Sequence, residues 1–321
     1  MGSPLTSGAR RNEESLWAIT SYFNPVGYRR RLANYRVFRE RLSVPLVAVE
    51  LAYGPEFELR EGDADILVQL RGGDVMWQKE RLLNVALAAL PSTCRKVTWL
   101  DCDVIFEADD WPGRVNWLLD SYTLVQPFSQ VHYLRRDWVP GETRTAEAEF
   151  ARISSASAIA SGVSAAIAIG HRMEAKEGTS APGFAWAACR ELLDEHGFYD
   201  GCILGGGDRA MACAAHGCFD EFIRRVSMND PEKERFMVWA RPFYQAVRGA
   251  TGYVEGNLFH LWHGEMRYRR AIGRHEGFGP FHFDPFEDIV IDRNGCWRWN
   301  THKPEMHEYV RKYFASRNED G

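Results

Sequence analysis

The sequence predicts an α/β fold with a mostly parallel central sheet and helices on both faces. Strand-like and helix-like segments alternate through the first hundred residues, an order that leaves strands parallel and covered on both sides. A length of 321 residues suits two domains or one large α/β domain with additions. With 45% hydrophobic and 26% charged residues, the chain is globular in composition, which excludes collagen-like, disordered and membrane-embedded classes.

Leu16-Trp17-Ala18-Ile19-Thr20 reads as a buried first strand, ended at the Asn24-Pro25 turn. A helix follows from about Tyr28 to Arg41, then a second strand over Val44 to Leu51 and a short third over Asp65 to Gln69. After the Gly72-Gly73 turn, Leu82, Leu83, Ala86, Leu87 and Leu90 recur at helical spacing and predict an amphipathic helix over Gln78 to Leu90, stopped before Pro91. Val97 to Leu100 is a fourth strand that runs into Asp101-Cys102-Asp103. Farther on, the polar stretch Gly141 to Arg152 reads as a surface loop and Ala185 to His196 as a helix stopped by Gly197. Asp208 to His216 reads as another helix, with Asp208 at its N-cap and Gly217 as its stop. The tail beyond Asp292 carries Trp297, Trp299, Tyr309 and Phe314 and is expected to pack back on the body.

Thirty-nine basic and 44 acidic residues give a net charge of −5, so no global field draws the chain to nucleic acid or anionic membrane. The cluster Arg29, Arg30, Arg31, Arg36, Arg39 and Arg41, interrupted by Glu40, reads as a solvated helix face or as a contact for a polyanion. The longest apolar stretch, Ala156 to Ile169, falls short of the roughly 20 residues of a bilayer span, and no stable membrane insertion is expected. Seven cysteines without paired spacing imply no disulfide framework, and Met1 to Asn12 has no apolar core of a signal peptide, so a cytoplasmic setting is expected. Met1-Gly2-Ser3-Pro4-Leu5-Thr6 fits a loose myristoylation pattern, but residues 1–14 are expected to be a flexible leader.

The chemistry begins at Asp101-Cys102-Asp103. Two carboxylates two residues apart at the carboxyl end of a buried strand lie on one side of it, where open α/β sheets bind ligands. They repel unless a cation or a donor-rich partner sits between them, so a divalent metal explains them, and a capping Asp beside a solvated one is the alternative. No P-loop or Gly-x-Gly-x-x-Gly follows the first strand, and the glycines from Gly201 to Gly207 come too late for a dinucleotide site.

Further motifs stand in a fixed order around this pair. Trp77-Gln78-Lys79-Glu80-Arg81-Leu82-Leu83-Asn84 precedes it; Gly197-Phe198-Tyr199-Asp200, Leu204-Gly205-Gly206-Gly207-Asp208 and His260-Leu261-Trp262-His263 follow. That series, over roughly Trp17 to Arg270, resembles metal-dependent inverting glycosyltransferases of the GT-A fold, in particular the β-1,4-galactosyltransferases and polypeptide N-acetylgalactosaminyltransferases. The resemblance implies a GT-A domain over residues 15–290, with a nucleotide-sugar half at about 15–140, an acceptor and catalytic half at about 150–275, and a C-terminal extension over 291–321. It implies transfer of a hexose or N-acetylhexosamine from a nucleotide-diphosphate donor, most simply a UDP-sugar, to an acceptor hydroxyl.

By the same resemblance, Asp103 binds the metal directly, Asp101 orients the metal or holds the ribose, and His260 and His263 are further ligands. Two imidazoles suit Mn²⁺, with Mg²⁺ the alternative ion; His260 between Phe259 and Leu261 also fits a core histidine. Asp208 is implied as the general base, a role an N-cap shares only if its rotamer faces the acceptor. Gly206 and Gly207 would let backbone and sugar approach closely. Thr20, Ser21 and Asn24 are expected near base and ribose, and Lys79 or Arg81 on the nucleotide side or on an exposed helix face. Trp186 is expected to stack on carbohydrate or to sit in the core. Leu204 and Gly207 stand where the family commonly has Trp and Glu, which leaves the donor sugar open. The acceptor is expected to be a glycan, with a protein or a modified nucleobase in DNA as alternatives.

Three competing readings remain at this point. A retaining transferase of the same fold would not use Asp208 as base. A noncatalytic sugar-nucleotide or glycan-binding protein would explain the missing Glu at Gly207. A two-metal phosphotransferase or nuclease would need more carboxylates beside Asp101 and Asp103; Glu107, Asp109 and Asp110 are near in sequence, on the turn into Trp111.

Overall fold

The computed structural model describes residues 16–139, 148–170, 180–269 and 273–321. The expected leader with its myristoylation-like run, and residues 141–147 of the expected loop, lie outside the described residues. Strands β1 (Leu16–Phe23), β2 (Leu46–Ala52), β3 (Ile66–Arg71) and β4 (Lys96–Leu100) are all parallel, in the order β4-β1-β2-β3. Helix α1 (Arg29–Arg41) crosses from β1 to β2, and α2 (Lys79–Ala89) from β3 to β4.

Strands β1, β2 and β4 are buried on both faces, which is why they read as largely apolar runs; the edge strand β3 is partly exposed. Ile19 and Phe23 of β1 share one core with Leu82, Leu83 and Ala86 of α2; Ala18 and Tyr22 share the other with Tyr35 and Phe38 of α1. Each such large side chain contributes roughly 1.5–3 kcal/mol on burial.

The chain continues through β5 (Val104–Phe106), α3 (Trp111–Leu118), β6 (Leu124–Gln126), β7 (Gln130–Leu134), β8 (Ala148–Ile153), α4 (Ser155–Ala160), α5 (Ala165–Gly170) and β9 (Ala185–Cys189). Then come α6 (Arg190–His196), α7 (Gly207–Ala215), α8 (Phe219–Arg225), α9 (Asp230–Val247), β10 (Thr251–Tyr253) and β11 (Asn257–His260). Strand β9 is antiparallel to both β4 and β6 and completes a seven-stranded sheet, β10-β6-β9-β4-β1-β2-β3. A four-stranded sheet, β5-β11-β7-β8, stands beside it. The C-terminal segment adds α10 (Gly273–Glu276), β12 (Ile289–Ile291), β13 (Trp297–Trp299) and α11 (Pro304–Ser316); Trp297 and Phe314 are buried, and Trp299 and Tyr309 pack partly buried against the same core.

Three expectations are corrected. Residues Ala185–Cys189 form a strand, not the first half of a helix, because β4 and β6 bond to them from both sides; alanine's helix propensity yields to that tertiary slot. Residues Ala148–Ile153 form an edge strand paired with β7 rather than loop. Asp208 is not the N-cap of α7. That position belongs to Gly206 at φ 116°, a left-handed conformation suited to glycine, and Asp208 lies in the first turn with its side chain engaged elsewhere. The expected stops hold, with Gly197 at φ 59° closing α6 and Gly217 at φ 70° following α7.

Candidate active site

A cleft of roughly 290 Å³ opens at the carboxyl ends of β1 and β4, between the two larger sheets. That is the end of an open α/β sheet at which ligands bind. Ser21, Lys79, Asp101, Asp103, Gly206, Asp208, His260 and His263 line it.

The small sheet brings three of these together. Beyond β4 the chain turns through Asp101-Cys102-Asp103 into β5, and β5 pairs antiparallel with β11 so that Val104 faces His260. Leu261 N–H donates to the Asp103 carbonyl at 2.8 Å, which fixes the second histidine's approach. His263 Nε2 then lies 3.1 Å from Asp103 Oδ2 and 3.2 Å from His260 Nε2, and His260 Nε2 is 3.8 Å from Asp103 Oδ1. Donors about 2.1 Å from one ion stand roughly 3–4 Å apart, so this set fits a divalent metal. Two further facts agree with that fit: Asp103 Oδ1 is buried with no hydrogen-bond partner, and burial pushes the His260 imidazolium pKa well down, leaving a neutral ring. Burial opposes the charge of Asp103, but the attraction and hydrogen bond of His263 outweigh it and hold the carboxyl below its ordinary range. His260 is both a core ring, flanked by Tyr133 and Phe184 at 5.1 Å, and a member of this group.

Lys79 separates the other two carboxylates. Its ammonium lies 2.5 Å from Asp101 Oδ1 and 2.7 Å from Asp208 Oδ2. Burial works against the ammonium, yet Asp101 and Asp208 together raise its pKa, so it stays charged. Asp101 therefore belongs to Lys79 in this geometry, and the metal-fitting group is Asp103, His260 and His263. Glu80 points the other way, below α7. A Cβ at Gly207 would collide with Glu80 Oε1, so glycine at 207 makes room for a buried carboxyl that desolvation pushes up to about 8. Gly207 lies against that interior carboxyl, and of the two glycines only Gly206 lines the cleft.

Four more expected residues stay out of the cleft. Thr20 donates to the Leu100 carbonyl at 2.7 Å inside the sheet. Asn24 closes its own turn, accepting from Tyr28 N–H at 2.9 Å and donating to Glu58 at 2.9 Å. Arg81 pairs with Asp200 at 2.9 Å. Trp186 is 1% exposed opposite Trp99 and donates to the Pro182 carbonyl, which makes it a core residue; Phe184, two positions earlier, lines the cleft instead. Glu107 accepts from Asn257 and Asp110 pairs with Arg114, so two of the three extra carboxylates named for a two-metal site are engaged away from the pair.

Several lining residues carry no sequence motif. Arg31, Arg152, Arg209, Arg269, Arg274 and Arg317 all reach the cleft. Arg31 belongs to the basic cluster on α1, Arg209 stands beside Asp208 and Arg269 six residues after His263; Arg152, Arg274 and Arg317 were near no such signal. Glu319 is 1% exposed and lies 3.6 Å from His263 Nδ1, held by Arg31 at 2.6 Å and Arg317 at 2.5 Å. Burial raises its carboxyl, but Arg31 and Arg317 outweigh that and keep it well below the ordinary range. The tail reaches this point because Gly264 has no side chain; a Cβ there would meet the Arg317 and Asn318 carbonyls at 2.9 Å. Of the basic cluster on α1, Arg31 serves this buried pair, Arg39 bonds Asp65 and Arg30 covers the Trp262 ring.

Among the described residues, no helix is long and apolar enough to cross a membrane. No protein-family model matches the chain, and no curated protein matches it. Among solved structures, a mycobacterial protein is similar at 15% identity and a TM-score of 0.43, over 92% of this chain and 88% of that one. S. aureus TarS 1–349 in complex with UDP-GlcNAc is similar at 12% identity and a TM-score of 0.37, over 72% of each chain. The mannosyltransferase PcManGT from Pyrobaculum calidifontis, in complex with GDP-Man and Mn²⁺, is similar at 15% identity and a TM-score of 0.35, over 95% of this chain and 86% of that one. Each is a distant likeness in fold and assigns no activity to this chain.

Proposed function

We propose that this protein is a metal-dependent inverting glycosyltransferase of the GT-A fold, moving a hexose or N-acetylhexosamine from a UDP-sugar to an acceptor hydroxyl. One observation carries the proposal: Asp103, His260 and His263 converge, with ligand atoms within 4.8 Å of one another, in the cleft that also holds Asp208. Asp103, His260 and His263 would hold the ion, and its nitrogen-rich set favours Mn²⁺ over Mg²⁺. When bound, such an ion supplies positive charge against a leaving diphosphate.

The chain's own residues account for the acceptor side. Asp208 accepts the proton of the acceptor hydroxyl as that oxygen bonds to the anomeric carbon and the carbon–phosphate oxygen bond breaks. Lys79 keeps the Asp208 rotamer turned into the cleft and shares its charge with Asp101. Gly206 presents bare backbone, so a sugar can approach α7 closely.

The test is calorimetric binding and slow hydrolysis of UDP-, GDP- and CMP-sugars with Mn²⁺ or EDTA, on wild type and Asp103→Ala. Metal-dependent binding of one donor, lost in Asp103→Ala, is the expected result. No binding of any nucleotide sugar under either condition overturns the proposal.

A further inference from the structure

The cationic side chains of the cleft are not equally satisfied. Arg31 and Arg317 share Glu319, and Lys79 lies between Asp101 and Asp208. Arg152, Arg209 and Arg274 line the same cleft and form no ion pair with any described carboxylate. Arg209 Nη1 is buried with no hydrogen-bond partner at all. Arg152 is held over the Tyr133 and Phe150 rings at 5.6 and 5.5 Å, and Arg274 is anchored by the Tyr313 hydroxyl at 2.6 Å, so both guanidinium groups are fixed in place by neutral partners. The chain as a whole carries −5, so this local excess of positive charge runs against its composition.

We propose that Arg152, Arg209 and Arg274 bind a phosphoryl group carried by the acceptor, so that the acceptor is a phosphorylated hydroxyl compound. This rests on the transferase reading of the same cleft. Arg209 follows Asp208 directly in the first turn of α7, and both side chains line the cleft. An acceptor whose hydroxyl reaches Asp208 therefore brings a neighbouring substituent to Arg209, at a helix N-terminus that itself favours anions. Guanidinium groups match phosphate oxygens in a bidentate manner, and three of them suit a dianion better than a single carboxylate. Desolvation, with repulsion from Arg225, Arg152 and Arg274, pushes Arg209 down to about 10, the direction expected of a cation whose counter-ion is a ligand.

The test is calorimetry with matched probes, glycerol 3-phosphate against glycerol and glucose 6-phosphate against glucose, with glycerate as the carboxylate arm. Wild type, Arg209→Met, Arg209→Lys and Arg152→Met are each measured in EDTA and again with saturating UDP and Mn²⁺. The expected result is binding of the phosphorylated probes only, retained when UDP and Mn²⁺ are present. Binding should weaken by at least about tenfold in Arg209→Met and Arg152→Met, and recover in part in Arg209→Lys. UDP affinity should change less than about twofold in the same variants. Competition of the probes by UDP, or an equal loss of UDP affinity in Arg209→Met, overturns the proposal by assigning these arginines to the donor. Equal binding of neutral or carboxylate probes, or phosphate binding indifferent to Arg209 and Arg152, also overturns it. If UDP fails to bind while phosphate binding still depends on Arg209, the phosphate site stands and the nucleotide-sugar reading falls.

Discussion

The two walls of the cleft are built in different ways. The wall from β1, β4 and α2 is regular, and its buried cation is neutralised within the protein, Lys79 lying between Asp101 and Asp208, although Trp77 Nε1, Glu80 Oε1 and Arg81 Nε lack a hydrogen-bond partner. The facing wall comes from β8, β11 and the segment after it, the start of α7 and the C-terminal tail, and its orphans are cationic, Arg209 Nη1 and Arg269 Nε. Buried polar groups in native structures are nearly always hydrogen-bonded, so the orphaned guanidinium atoms that face the cleft call for a partner from outside the protein. The regular wall supplies position; the irregular one supplies unspent charge.

The largest expected effect tests whether Asp208 belongs to chemistry or merely to Lys79. Asp208→Asn keeps a polar partner for Lys79 but removes the base, and turnover should fall by about 10²–10⁴ with donor affinity nearly unchanged. Steady-state kinetics that show a loss confined to KM would instead leave Asp208 as no more than a structural partner of Lys79. Next, Gly207→Ala drives a methyl into Glu80 and should destabilise by about 1–3 kcal/mol in denaturant unfolding. The double variant Gly207→Ala/Glu80→Ala should recover part of that loss, and simple additivity would refute the proposed contact.

Glu80 also makes the regular wall sensitive to pH. Its folded value of about 8 lies above its ordinary 4.5, so the folded state holds this proton more tightly. The resulting stability is complete below about pH 4.5 and is lost as pH rises through 8. Glu80→Gln should flatten that decline by on the order of 2 kcal/mol, read from thermal unfolding at pH 5 to 9. Parallel curves for the two proteins would remove Glu80 from the explanation. The smallest effect concerns the tail: Glu319→Gln weakens the carboxylate behind His263 and should cost about tenfold in Mn²⁺ affinity, measured by titration. Unchanged affinity would separate the tail from the metal-fitting group and confine it to packing.

Much of the fold was legible because local chemistry and global architecture agree. Leu82, Leu83, Ala86 and Leu87 form one helix face and are buried as one, and glycines at 197 and 217 end helices by left-handed turns. Where the two disagreed, pattern failed. Ala185–Cys189 is too rich in alanine to announce a strand, and only its place between β4 and β6 makes it one. In the site, the Asp-x-Asp pair and the two histidines were visible as spacings, yet Asp101 and Asp103 serve different partners. Trp186, attractive by composition, is a core ring.

The sequence by itself determined the alternation of strands and helices, the placement of Asp101 and Asp103 at the end of a buried strand, and the spacing of His260 and His263. These follow from periodicities of two and 3.6 residues, which neighbours along the chain enforce. Only the tertiary structure decided that Lys79 parts Asp101 from Asp208, that Glu80 occupies the room left by Gly207, and that Glu319 closes behind His263. Those contacts join residues 22 to 129 positions apart, and they depend on how sheets and tail come to rest against each other, for which no local pattern exists.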